Sequence, residues 1–167
     1  MNSPEPTTRA AQIIEWLSLA PHPEGGHYRE HFRSGRVVLP SDGRAARAGL
    51  TSIDFLLCQG EFSAWHRVAS DEAWHLLEGG PLRLWLLPPG LGRVDCVDLA
   101  PVDAAGARPA HVVPAGWWQA AEPLGDHALC GATVGPGFDF SDFSFLRADP
   151  GAASALATLR PDLQRLR

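Results

Sequence analysis

The sequence predicts an all-β domain, a sandwich or barrel with a helix near each end. From Thr51 onward, strand-length apolar runs recur as TSIDFLLC, FSAWHRV, EAWHLLE, LRLWLL, RVDCVDL, AHVVP, WWQAA, HALCGATV and FDFSDFSF. Turn-forming PPG, DAAGARP, EPLGD and GPG separate several of them, as expected of many short strands sharing one core. Within GEFSAWHRVASDEAWHLLEG, residues 60–79, apolar and polar residues alternate with the period of two that marks a half-buried strand. At 167 residues and 45% hydrophobic, the chain has the size and apolar content of a single domain spanning 1–167.

The elements follow in chain order. Ile13, Ile14, Trp16 and Leu17 recur at helical spacing after the polar PEPTT, which predicts a helix from about Thr8 to Leu19, ended by Pro21 and Pro23. PHPEGGHYREHFRS then turns at Glu24-Gly25-Gly26 and continues as a short strand. Residues 34–50, SGRVVLPSDGRAARAGL, lack sustained periodicity and read as a surface hairpin or flexible loop. The strand series follows. The tail from about Asp149 to Arg165 has helical composition, interrupted at Pro161, and is expected to pack across one end.

Composition excludes several functions. A net charge of -5 and the lack of a long basic run argue against nucleic acid or an anionic membrane as partner. The polar opening MNSPEPTTRA and the absence of any apolar run near the length of a membrane span lead to the expectation of a cytoplasmic protein. Cys58, Cys96 and Cys130 are widely separated and read as reduced thiols. All 14 basic residues are arginine, so Schiff-base chemistry, pyridoxal phosphate attachment and a P-loop lysine are ruled out.

Alternation puts Phe62, Ala64, His66 and Val68 on the inner face of one strand, with Glu61, Ser63, Trp65 and Arg67 on the other. On the next strand Glu72, Trp74 and Leu76 lie together and His75 opposes them. If Glu72 also faces inward, it shares an apolar pocket with His66, and a buried carboxylate there needs a proton, a cation or hydrogen-bond donors. Tyr28 and Glu30 fall on one face of the first strand, His27 and Arg29 on the other. His22, His31, His111 and His127 have no partner at informative spacing and read as surface or structural.

These residues carry a family resemblance. Gly60, His66, Glu72 and Gly79 fit the first motif of the cupins, and Pro114-Ala115-Gly116 with Gln119 resembles the second. PHPEGGHYRE, TSIDFLL, SAWHRVASDEAWH, VPAGWWQAA and GATVGPGFDFSDF resemble the successive blocks of cupin family 5, from Pro21 to Phe143. The resemblance implies a jelly-roll β-barrel of the kind shared with the dTDP-sugar epimerases, and a homodimer. It also implies a site of His66, Glu72 and Gln119 walled by Trp74, Trp117 and Phe62, with the PEGGHYRE block beside the barrel mouth, where Tyr28 or Arg29 is a candidate contact for an anionic ligand. Metal-binding cupins carry two further histidines, and at the aligned positions this chain has Val68 and Gln119. The epimerases pair a base histidine with a tyrosine on a later strand, whereas the single tyrosine here, Tyr28, lies in the N-terminal block.

Three functions remain open at this point. The first is a metal-independent acid–base enzyme, of isomerase, epimerase or lyase type, acting through His66 and Glu72 on a sugar or other small polar metabolite. The second is a divalent-metal enzyme with His66, Glu72 and Gln119 as ligands. The third is a non-catalytic module that binds a small molecule between Trp74, Trp117 and the polar pair.

Overall fold

A computed structural model describes residues 8–103 and 105–167; the polar opening segment and Ala104 of the DAAGARP turn lie outside them. Helix α1 (Arg9–Leu17) starts where Thr8 Oγ1 accepts the Ala11 N–H at 3.2 Å. It ends before the prolines, because Ser18 adopts a left-handed conformation (φ 52°) and its N–H closes on the Glu15 carbonyl. The first strands are β1 (Ala20–Pro21), β2 (His27–Arg33), β3 (Val37–Val38), β4 (Arg47–Ala48) and β5 (Thr51–Cys58). Next come β6 (Ser63–Val68), β7 (Asp71–Gly79), β8 (Leu82–Leu87), β9 (Asp95–Leu99) and β10 (Ala110–Val113). Strands β11 (Trp118–Pro123), β12 (His127–Gly135) and β13 (Phe143–Phe145) complete the set, and helix α2 (Pro150–Leu159) leads into a 3-10 turn over Pro161–Leu166.

Two antiparallel sheets face each other, one in the order β1-β2-β5-β12-β7-β10 and the other β13-β6-β11-β8-β9. From β5 to β8, and again from β10 to β13, each successive strand changes sheet. That crossing pattern is a jelly roll. Phe55, Leu57, Trp74, Leu82, Leu84, Leu86 and Cys130 pack between the sheets. Among the described residues no helix is long and apolar enough to cross a membrane.

The outer faces are also covered. Helix α1 lays Ile13 against Leu56 and Leu129 of the six-stranded sheet, and Arg9 anchors it through Glu78 at 2.6 and 2.7 Å. The C-terminal segment buries Leu146, Leu156, Leu163 and Leu166 against Trp65, Trp85 and Trp118 of the other sheet. Strands buried on both faces lose their polar alternation, which is why LRLWLL reads as one apolar run. It also explains Trp65: alternation turns it away from His66 as expected, but toward a second core, where its Nε1 donates to the Leu163 carbonyl at 3.2 Å. Trp118 is likewise covered by the chain's own C-terminal segment, with Arg67 over its outer ring face at 4.4 Å.

Residues 34–50 take the hairpin alternative of the sequence reading, whereas FDFSDFSF departs from it. Residues 34–50 form a hairpin of β3 and β4, clasped by Arg44 and Arg47 to the Asp142 carboxylate at 2.8 Å. FDFSDFSF is a strand only over its last three residues, since a 3-10 turn occupies Phe140–Asp142. Replacing Leu156 by alanine removes a fully buried side chain from the outer core; the expected loss is about 3 kcal/mol of unfolding free energy, measured by denaturant titration.

Candidate functional site

His66 and Glu72 meet because the turn between β6 and β7 carries the chain from one sheet to the facing one. The two strands are therefore opposed across the interior rather than paired edge to edge. His66 is 2% exposed and Glu72 is 7% exposed, and both line a cavity of about 450 Å³ between the sheets. Ile53, Phe55, Trp74, Ala132 and Val134 form its apolar walls, and Phe138, Phe140 and Phe143 belong to the same lining. Phe143 stacks on the His66 ring with centroids 5.2 Å apart.

A second carboxyl, unforeseen in the sequence, completes the polar end. Glu24 comes from the loop before β2, whose Gly25 and Gly26 have φ of 114° and 69°. A Cβ on Gly25 would sit 2.1 Å from the Phe62 carbonyl oxygen, and one on Gly26 2.5 Å from that of Leu56. The loop thus presses directly on the barrel. The Ala64 N–H donates to the Glu24 carbonyl at 2.7 Å, and Ser63 Oγ donates to Glu24 Oε1 at 2.8 Å. Glu24 Oε2 then lies 3.3 Å from His66 Nε2. His22 closes the loop by accepting the Glu24 N–H on Nδ1 at 3.2 Å, and it too lines the cavity.

The proton positions follow from one donor-only group. Trp74 Nε1–H can only donate, and it lies 3.0 Å from Gln119 Oε1. The Gln119 amide nitrogen must therefore face the other way, donating to Glu72 Oε2 at 2.5 Å and to His66 Nε2 at 3.2 Å. His66 Nε2 is then a lone pair, and Nδ1–H donates to the Ala64 carbonyl at 2.7 Å. Between His66 Nε2 and Glu24 Oε2, two acceptors face each other unless a proton joins them. Burial supplies the bias: it lowers the His66 pKa, opposed by the Glu72 charge, and raises Glu24 to about 6. Burial also raises Glu72 to about 7, against the pull of His66. Glu72 Oε1 accepts no hydrogen bond among the described residues.

Several expected site residues lie elsewhere. Gln119 stands behind His66 and Glu72 and does not line the cavity. Phe62 precedes β6, so alternation does not extend to it; it packs against the outer core and borders a second, more open cavity of about 410 Å³. Trp117 turns inward against the core between the sheets, also outside the cavity lining. Arg29 is on the outer face of β2, 3.3 Å from Asp54, whereas Tyr28 and Glu30 line the cavity. His22, read as surface or structural, borders both cavities, as Glu24 does.

The metal reading requires the Gln119 oxygen to face His66 and Glu72. That oxygen is directed at Trp74, and the amide hydrogens point where a cation would have to sit. Val68 contributes only an alkyl group, and among the described residues no three His, Cys, Asp or Glu side chains are grouped to hold a metal ion. The donor set of His66, Glu72 and Gln119 does not fit a metal.

An antiparallel jelly roll enclosing a cavity with histidine and glutamate on facing strands defines the cupin class. Residues 11–146 match the family described as Cupin superfamily (DUF985), and the chain belongs to that family. It is similar over 95% of its length to protein SO0799 from Shewanella oneidensis, at 34% identity and TM-score 0.80, covering 97% of that chain. A hypothetical protein from Leishmania major is 28% identical, with TM-score 0.81 and coverage of 95% and 98%. Oxalate decarboxylase from Bacillus subtilis shares the fold at 15% identity and TM-score 0.57, over 88% of this chain and 37% of that one. No curated protein matches the chain at a significant level.

Raised carboxyl pKa values imply a definite pH dependence. With its folded pKa near 7 and its unfolded pKa near 4.5, Glu72 contributes fully below pH 4.5, and the contribution is lost as pH rises through 7. His22, His66 and His111, whose pKa values burial lowers, act in the opposite sense, their contribution lost as pH falls below the ordinary histidine range. Comparison with Glu72→Gln isolates the carboxyl. The stability difference, wild type minus variant, should fall by roughly 2.5 kcal/mol between pH 5 and pH 8 in denaturant titrations.

Proposed function

We propose that this cupin barrel binds a small metabolite and moves a proton on it by acid–base chemistry at Glu72, Glu24 and His66, without a metal. The observation that carries the reading is a pair of buried carboxyls, raised to about 7 and about 6, facing one cavity beside a neutral imidazole. Groups that titrate near neutrality accept and return protons most effectively at physiological pH. Glu72 is the base, because Oε1 is its free oxygen while Gln119 holds Oε2. His66 is held through both nitrogens and acts with Glu24, their atoms 3.3 Å apart, as the proton store that restores the site. Gln119 is a positioning residue. The likeness to oxalate decarboxylase, at 15% identity, supports the fold and brings no reaction with it.

Tyr28 borders the cavity on β2, edge-on to His22 with centroids 4.4 Å apart. This placement supports contact with the ligand rather than the acid role that tyrosine has in the epimerases. The test is incubation in deuterated buffer with a panel of sugars, amino sugars, sugar nucleotides and amino acids, followed by NMR. Deuterium should enter one carbon position of an accepted compound, and Glu72→Gln should slow its entry by about a hundredfold. Failure to exchange any position on any member would overturn the acid–base reading.

A further inference from the structure

The charges around the cavity narrow the ligand class. Glu24, Glu30, Glu72 and Asp139 line it against a single arginine, Arg33. Arg33 is already engaged: Glu30 takes two of its N–H groups at 2.7 and 2.8 Å, and the Phe138 carbonyl accepts another at 3.2 Å. Arg29, the other cation on β2, points away to Asp54. The polar end therefore offers Glu72, Glu24 and a neutral imidazole, with no fixed positive charge to receive an anion. Glu72 is 7% exposed and lines the cavity, and its Oε1 has no donor among the described residues. A buried carboxylate oxygen in that setting favours a charged donor.

The walls agree with that charge. Tyr28, Phe55, Trp74, Phe138, Phe140 and Phe143 surround the space, and aromatic faces attract cations as well as hydrocarbon. We infer that the cavity selects an organic cation, a small primary ammonium that seats its nitrogen against Glu72 and Glu24 and its hydrocarbon body among the aromatic side chains. The inference rests on the reading of this cavity as a ligand site and names the ligand's chemistry; it does not depend on turnover.

Protons should be linked to binding. The titratable groups acting on Glu72 are His66 from β6 and Glu24 from the loop before β2, and burial holds the carboxyl at about 7. An ammonium beside it favours the ionised form, so binding below neutrality must release a proton. Affinity should then fall with decreasing pH, by up to about tenfold per unit.

The test is calorimetric titration of the full chain with three near-isosteric probes: benzylammonium, benzyl alcohol and phenylacetate. Benzylammonium should bind about tenfold more tightly than benzyl alcohol, the margin of a charged over a neutral donor to the same carboxylate, and phenylacetate most weakly. Glu72→Gln, checked for a cooperative melt, should abolish the ammonium preference, bringing the benzylammonium affinity down to that of benzyl alcohol for the same variant. Equal affinities, or a preference for phenylacetate, would overturn the charge selection and leave the ligand site standing. If none of the three probes bound, the ligand site itself would fall, and the inference with it. Should the variant not fold, the wild type decides: benzylammonium affinity that stayed constant from about pH 5.5 to 8 would overturn the inference.

Discussion

One amide, that of Gln119, ties the two sheets together and sets the state of everything around it. It stands on β11 beside His66, its pairing partner in the five-stranded sheet, and reaches across to Glu72 and Trp74 of the facing sheet. Its orientation is dictated by an indole that can only donate. From that follow the direction of the amide hydrogens, the lone pair on His66 Nε2, the proton on Nδ1 and the half-satisfied state of Glu72. A histidine at position 119 would offer a lone pair there instead. The glutamine turns what would be a converging set of donors into a hydrogen-bonded brace, and leaves one carboxylate oxygen uncommitted.

The polar end survives in an apolar interior because its backbone support is close and rigid. The His22–Gly26 loop closes on itself, with the His22 N–H donating to the Gly26 carbonyl at 2.9 Å and the Gly25 N–H to the His22 carbonyl at 3.0 Å. Its two glycines let it lie on the barrel where a Cβ would collide with backbone. Outside the sheets, the helical caps bury what would otherwise be exposed tryptophan and leucine. The strands are thus held from both sides, and burial, more than any single charge, shifts the titrating groups.

Much of the fold was legible because strand periodicity and turn residues are local signals. TSIDFLLC and LRLWLL coincide with β5 and β8; alternation alone put His66 with Val68 and Glu72 with Trp74, and the family resemblance brought the two pairs to one pocket. Alternation fails at the start of β6, where Phe62 lies just outside the strand and packs on the outer core; Trp117, just before β11, keeps its inward direction but stands outside the cavity lining. Glu24 was hidden for a different reason. It sits in a turn without periodicity, 42 residues before His66, and only the folded loop brings it there; the PEGG sequence, with glycines that permit an unusually close approach, was the available signal. The phenylalanines at 138, 140 and 143 were concealed by a strand-like pattern that the 3-10 turn breaks. That two successive strands lie in opposite sheets is a property of topology, which the sequence expresses only through family resemblance.

His22 and Glu24 border the ligand cavity on one side and the second, more open cavity on the other. The wall between the two voids is therefore a single turn of chain, and its own side chains are the acid and the imidazole. Glu24 stands at a back door. On the acid–base reading proposed above, protons exchanged with bulk solvent through that side would not have to pass a bound molecule, and the site would recover its protonation state with the front entrance still occupied.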